Sequence, residues 1–347
     1  MKLITVVGAR PQFIKLAIVS KELRKTHNEV LVHTGQHFDS NMSDVFFNEM
    51  QIPCPDYNLS ISGGSHGQMT GRMLIALEEV FHNEAPDACM VYGDTNSTLA
   101  AALAAVKLHI PVYHVEAGVR SGTLNSPEEV NRILTDRIST KLFAPTEVAV
   151  ANLHDEGITN GVYLTGDPMY DAFLYFSSQV QDHIKVIDIK GNTINLPSNY
   201  YYLTCHREEN SKSDALNEIL SAADALDSPV IYPVHPRNYH IVKDIVCHNV
   251  IFIKPVGYLT SLRLLMGCEK VITDSGGLQR EAFWAKKQCV TLLEKELWSE
   301  THIGNRNQLA RNNSKDILDK LFAVMVVDDN YKPFGSGNAS SLICEAL

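Results

Sequence analysis

Short runs of apolar, mostly β-branched residues recur along the chain and alternate with stretches of helical period. The runs at 3–7, 30–33, 88–92, 111–115, 142–144 and 162–165 contain few polar positions, which is how strands covered on both faces of a parallel sheet read. Between them, 12–25, 67–81, 97–107 and 127–140 space their apolar side chains three and four apart, so the pattern predicts helices and the βαβ rhythm of a doubly wound sheet. Residues 169–198 read as a helix followed by a polar connector with a turn at Lys190, Gly191 and Asn192. The rhythm then restarts. Strands are expected at 200–204, 229–233, 250–253, 270–273 and 289–293, with helices at 214–226, 259–266 and 277–286. The fold class expected is therefore α/β, with two Rossmann-like doubly wound domains facing a central cleft. Their expected limits are 1–168 and 199–347, joined by 169–198, with the final helix packing back on the N-terminal domain.

Length and composition fit this picture. A chain of 347 residues exceeds one ordinary domain, and 45% hydrophobic with 20% charged residues is usual for a globular protein. No apolar run is long enough for a membrane span. The opening LITVV runs straight into Gly8, Arg10 and Pro11, which suits a buried first strand rather than a secretion signal, so a cytoplasmic protein is expected. The seven cysteines stand singly without CxxC spacing, which argues against disulfides and structural zinc. A net charge of -10 offers no basic face to a nucleic acid, so any anion bound is expected to be small and locally held.

Candidate chemistry sits where strands end. In GARPQFIK, Gly8 permits a close turn, and Arg10 and Lys15 lie on a loop and helix start that favour an anion such as a diphosphate. The same two cations also suit a solvent-side helix face. In TDSGGLQREA, the amides of Ser275 and Gly276 are unobstructed at a helix start, and Glu281 is placed to accept from ribose hydroxyls. This is not GxGxxG, which argues against NAD. Asp94, Glu116 and Glu128, the last beside Glu129, each end a strand or open a helix. Taken singly, such acids are commonly caps; three of them in one cleft with cations point to acid and base work. His206 with Arg207 and His235 with Arg237 end the first two strands of the second half, and no histidine pair shows metal spacing, so no metal and no cofactor are expected.

GARPQFIK, HTGQH, YGDTNST, HVEAGVRSG, PEEVNR, HREEN, HPR, PVGY and DSGGLQ occur in this order over 1–290, and as a set they resemble the bacterial non-hydrolysing UDP-N-acetylglucosamine 2-epimerase family. The resemblance implies a GT-B-like fold and an isomerase that eliminates UDP from a UDP-N-acetylhexosamine to a 2-acetamidoglucal and adds it back with C2 inverted. It implies a UDP site at Arg10, His206, His235, Ser275, Gly276, Gly277 and Glu281, with Val256 and Tyr258 near the uracil. It implies catalytic carboxylates at Asp94, Glu116 and Glu128, assisted by Lys15 and His206. A UDP-sugar is the expected partner, with a homodimer and a role in polysaccharide precursor synthesis, and a regulatory site would involve Gln36 and Arg72, where Asp39 replaces a common glutamine. Two departures follow Cys289: Leu293 stands for an arginine and Leu297 for a glutamate. Trp298 with Glu300, and the stretch after His33, resemble the branch acting on UDP-2,3-diacetamido-2,3-dideoxy-glucuronate. A hydrolysing epimerase, a GT-B glycosyltransferase and a non-catalytic UDP-sugar-binding regulator remain as alternatives.

Overall fold

The computed structural model describes residues 1–36, 46–181 and 184–347; Asp39 and most of the stretch after Gln36 lie outside the described residues. The chain divides into two compact units, Met1–Leu174 with Lys332–Leu347, and Tyr175–Tyr331.

In the first unit, β1 (Lys2–Val7), β2 (Asn28–His33), β3 (Tyr57–Asn58), β4 (Ala88–Tyr92), β5 (Val112–Val115), β6 (Lys141–Ala144) and β7 (Val162–Leu164) pair in parallel in the order β3-β2-β1-β4-β5-β6-β7. Every residue of β4 and β5 is buried, so these strands tolerate no alternation of polar positions. The helices are α1 (Arg10–Leu23), α2 (His66–Glu84), α3 (Asn96–Lys107), α4 (Pro127–Ile138), α5 (Glu147–Asp155) and α6 (Pro168–Ser177), the last of which has its final three residues, 175–177, in the second unit. Helix α3 is alanine-rich because it is buried along nearly its whole length and lies close to α2, α4 and the sheet. Pro11 and Pro127 occupy first-turn positions, and Thr95 caps α3 through Thr98 N–H, so α1 and α3 start within a few residues of their strands while α4 opens after the 116–126 loop. The C-terminal helix (Ala339–Glu345) belongs to this unit: the Asp171 carboxylate accepts the N–H of Ala339 at 3.0 Å and of Ser340 at 2.8 Å.

In the second unit, β10 (Tyr201–Thr204), β11 (Val230–Pro233), β12 (Val250–Ile253), β13 (Lys270–Thr273), β14 (Gln288–Thr291) and β15 (Asn307–Leu309) form a parallel sheet in the order β12-β11-β10-β13-β14-β15. Helices α7 (Ser213–Asp224) and α10 (Ser314–Leu321) share its apolar core, α9 (Gly276–Trp284) lies against β13 and β14, and α8 (Tyr258–Gly267) meets β10 where the Tyr202 and Ser261 hydroxyls stand 2.9 Å apart. The polar connector holds more structure than its composition suggests. Strands β8 (Lys185–Ile187) and β9 (Thr193–Asn195) make an antiparallel hairpin whose turn closes on Asp188 Oδ1, which accepts from Lys190 N–H at 2.9 Å and Asn192 N–H at 2.8 Å. Backbone bonds from Ile189 to Phe252 and from Lys254 to Ile187 fasten the hairpin to β12. Among the described residues no helix is long and apolar enough to cross a membrane, and no group of three or more His, Cys, Asp or Glu side chains is placed to hold a metal.

Candidate active site

Strand order reverses between β1 and β4 in the first unit and between β10 and β13 in the second, and ligands of doubly wound sheets are held beyond the carboxyl ends at such points. Gly8 opens the turn after β1. A Cβ there would stand 2.1 Å from Thr34 Oγ1 and 2.3 Å from Ser97 Oγ, so only glycine lets three segments close together. Gln12 then laces the turn to β4: its Oε1 accepts from Gly8 N–H at 2.7 Å and Ala9 N–H at 2.9 Å, and its Nε2 donates to the Tyr92 carbonyl at 2.8 Å. This glutamine lies within GARPQFIK, a motif whose pattern gives it no role of its own. Arg10 places its guanidinium 4.2 Å over the Phe46 ring.

Lys15 Nζ lies 2.6 Å from Glu116 Oε2, with side chains only 2% and 8% exposed. Charges this far from water are tolerable only as a pair. Glu116 follows β5 with φ 72°, a left-handed conformation that costs a non-glycine residue about 1–3 kcal/mol and tends to occur where function imposes it. Asp94 Oδ2 pairs with Arg132 Nη2, and Arg132 Nη1 reaches Glu129 Oε2 at 3.0 Å. Burial pushes the Glu129 carboxyl up, but the Ser121 amide, Arg132 and the Gly122 amide outweigh it and hold it below the usual range. Arg132 is raised for the complementary reason, burial being outweighed by Asp94 and Glu129. Glu128 is exposed and accepts from Ser126 Oγ at 2.5 Å, so of two adjacent glutamates one is buried scaffold and the other faces solvent. Gln36 accepts from Ser97 N–H at 3.0 Å and Ser97 Oγ at 2.7 Å, whereas Arg72 donates to the carbonyls of Ser62 at 3.1 Å and Gly63 at 2.6 Å.

In the second unit the organising residue is Asp274, which lies in the DSGGLQ motif but carries no role in the sequence pattern. Its Oδ2 accepts from the backbone N–H of His206 and of Arg207, both at 2.8 Å, and from Asn210 Nδ2 at 3.1 Å, while Oδ1 stands 2.9 Å from His206 Nδ1. Burial pushes this carboxyl up, but the hydrogen bond and charge of His206 and then the two amides bring it down to about 2. The carboxylate thus ties the loop after β10 to the end of β13 and orients the His206 ring. The His235 ring lies 6.1 Å from that ring, and Arg237 donates to the His206 carbonyl at 3.0 Å. Ser275 caps α9 by accepting Leu278 N–H at 3.2 Å, and its own N–H is donated to Thr273 Oγ1 at 2.9 Å. The N–H groups of Gly276 and Gly277 lie in the first turn of α9, where a helix offers no intrahelical acceptor. Glu281 is buried farther along α9. Val256 is half-buried before α8, and the Tyr258 ring opens that helix, packed edge-on to Phe176 at 5.6 Å.

Residues 21–347 match the UDP-N-acetylglucosamine 2-epimerase family, so the likeness continues past the stretch VTLLEKELWSET. A UDP-N-acetylglucosamine 2-epimerase homolog of Methanococcus maripaludis is 45% identical over 100% of this chain and 99% of its own. The UDP-2,3-diacetamido-2,3-dideoxy-D-glucuronate 2-epimerase of Pseudomonas aeruginosa is 43% identical over the same shares. The crystal structure of Methanocaldococcus jannaschii UDP-GlcNAc 2-epimerase in complex with UDP-GlcNAc and UDP superposes with a TM-score of 0.87, at 37% identity and 99% coverage of both chains. The chain belongs to the UDP-N-acetylglucosamine 2-epimerase family.

Proposed function

We propose that this chain inverts C2 of a UDP-N-acetylhexosamine without net hydrolysis. The observation that carries the reading is the buried Lys15 and Glu116 pair against Gly93, the residue before Asp94, at the strand ends of the first unit, in a chain of the UDP-N-acetylglucosamine 2-epimerase family. The C2 hydrogen of such a sugar is not next to a carbonyl, so enolate chemistry is closed to it. Elimination solves this: the C1–O bond to UDP breaks as a carboxylate takes the C2 proton, giving the 2-acetamidoglucal. UDP then re-adds at C1 while a proton reaches C2 from the other face. Opposite faces require at least two acid or base groups, and Asp94, Glu116 and Glu128 are assigned to them, with Lys15 and His206 assisting. Arg10, His206, His235 and the 275–277 turn are assigned to the charge developing on the leaving diphosphate, Val256 and Tyr258 to the uracil, and Glu281 to the ribose. Neither a metal nor a cofactor is required by this route.

The 43% identity with the Pseudomonas aeruginosa enzyme supports a second substrate, the 2,3-diacetamido-2,3-dideoxy-glucuronate. The deciding experiment incubates the protein with each sugar nucleotide in deuterated water. Deuterium at C2 of the recovered sugar nucleotide, together with its epimer, is expected with one of them; unlabelled material in both tubes would sink the proposal. Release of free N-acetylmannosamine would indicate the hydrolysing reaction, and transfer to an acceptor a glycosyltransferase. A homodimer, a cytoplasmic location and regulation through Gln36 and Arg72 complete the proposal; sedimentation tests the first.

A further inference from the structure

The side chains that hold the strand-end turns of the first unit form a connected series. His114, in β5, is fully buried; its Nε2 lies 2.7 Å from the Gly93 carbonyl oxygen and its Nδ1 lies 2.6 Å from Asp136 Oδ1. The Gly93 carbonyl only accepts, so Nε2 donates to it, and Nδ1 faces the Asp136 carboxyl group. Asp136 Oδ2 in turn accepts Gly118 N–H at 3.0 Å and stands 2.7 Å from Arg120 Nη1. Arg120 forks onto Glu156 through Nε at 2.7 Å and Nη2 at 2.8 Å, where the series reaches solvent.

Both ends of this clamp matter for the proposed chemistry. Gly93 immediately precedes Asp94, and Gly118 follows Glu116 by two residues. A Cβ on Gly93 would stand 3.5 Å from Glu116 Oε1 and 3.6 Å from Lys15 Nζ, so the backbone that His114 grips passes directly beneath the ion pair. The left-handed backbone at Glu116 persists only if its surroundings over-determine it, and the bonds at Gly118 and to the Phe143 carbonyl do so.

We propose that His114 and Asp136 are positioning residues of the epimerisation, a buried clamp that holds the Gly93 and Gly118 backbones and thereby sets where the Asp94 and Glu116 carboxylates stand. The inference rests on the function proposed above. Neither side chain is assigned contact with substrate, so its effect should fall on turnover and not on binding.

His114→Gln and Asp136→Asn each remove one grip. A misplacement of about 1 Å costs on the order of 100-fold in rate, so kcat is expected to fall by about that factor, with KM and UDP affinity within about threefold of wild type. The double variant should be no worse than either single one, since the clamp acts as a unit. Amide hydrogen exchange at Asp94, Glu116 and Gly118 should rise about tenfold or more. Glu156→Gln frees only the solvent end of Arg120, whose partner glutamate side chain is 29% exposed, and should lower kcat by about threefold with KM unchanged. That variant decides the matter if the core variants do not fold. Wild-type kcat in folded variants, losses shared equally by UDP binding, or additive losses in the double variant each overturn the proposal. If wild type turns over no UDP-sugar, the reading of function fails separately, and unchanged exchange at the three amides overturns the clamp.

Discussion

Asp274→Asn is the sharpest test of how the second unit is organised. The side chain is wholly buried, and three N–H donors converge on Oδ2. Asparagine can keep an oxygen at that place, so the substitution removes charge and little else. Lowering a carboxyl from 3.8 to about 2 is worth about 2 kcal/mol of folded-state stability when the group is ionised. Because the folded value is the depressed one, this stability is fully present above the unfolded value and is lost as pH falls through the folded value. At pH 7 the variant should therefore be about 2 kcal/mol less stable, a drop of about 4–8 °C in the transition of this unit. By pH 3 about 1 kcal/mol of the wild-type advantage should have gone. Urea unfolding of both proteins from pH 7 to pH 3 measures the difference directly. A gap that stays constant down to pH 3 would refute the charge argument, and a variant as stable as wild type at pH 7 would refute the role of Asp274 altogether. The His206 ring also loses its charged neighbour, so UDP affinity should weaken by about tenfold, on the order of 1.4 kcal/mol.

Three further outcomes are expected. Asp94→Asn and Glu128→Gln should each cut C2 deuterium exchange by at least about 100-fold while UDP binding, followed by calorimetry, stays within about threefold; binding lost together with exchange would contradict their assigned roles. Lys15→Met leaves Glu116 buried without its cation and should cost about 3–5 kcal/mol in thermal unfolding, whereas Lys15→Met with Glu116→Leu should recover part of that loss, and a double variant worse than the single one would show the pair is not the source. Gly118→Ala puts a Cβ 2.2 Å from the Ala149 carbonyl oxygen at φ 79°, so it should destabilise by more than about 2 kcal/mol, and a Tm within 1 °C of wild type, about a quarter kcal/mol, would be inconsistent with the packing described.

Much of this was readable along the chain. Apolar runs such as 88–92 have no polar face to offer, so their place inside a parallel sheet follows from composition alone. The residues after such strands, Gly8, Asp94, Glu116, His206 and Ser275, were marked by position, since a strand end in this architecture is where side chains and amides turn toward a ligand. Other features carried no local signal. Asp188 looked like one more polar residue of a connector, yet it closes a hairpin, because an aspartate turn depends on which amides come back to it. Glu128 and Glu129 are chemically identical in sequence; only packing makes one a buried brace for Arg132 and leaves the other exposed.

Local chemistry in the sequence was enough to determine the alternation of strands and helices, the parallel sheets and the stations of the chemical groups, since each of these is set by neighbours a few residues away. Tertiary structure alone decided which groups meet: Gln12 with Tyr92, Lys15 with Glu116, His114 with Asp136, and Asp274 with the loop after β10. The reason is physical. A buried charge or amide is stable only when a partner stands within about 3 Å, and that partner is brought there by the order of strands in a folded sheet rather than by anything adjacent in the chain.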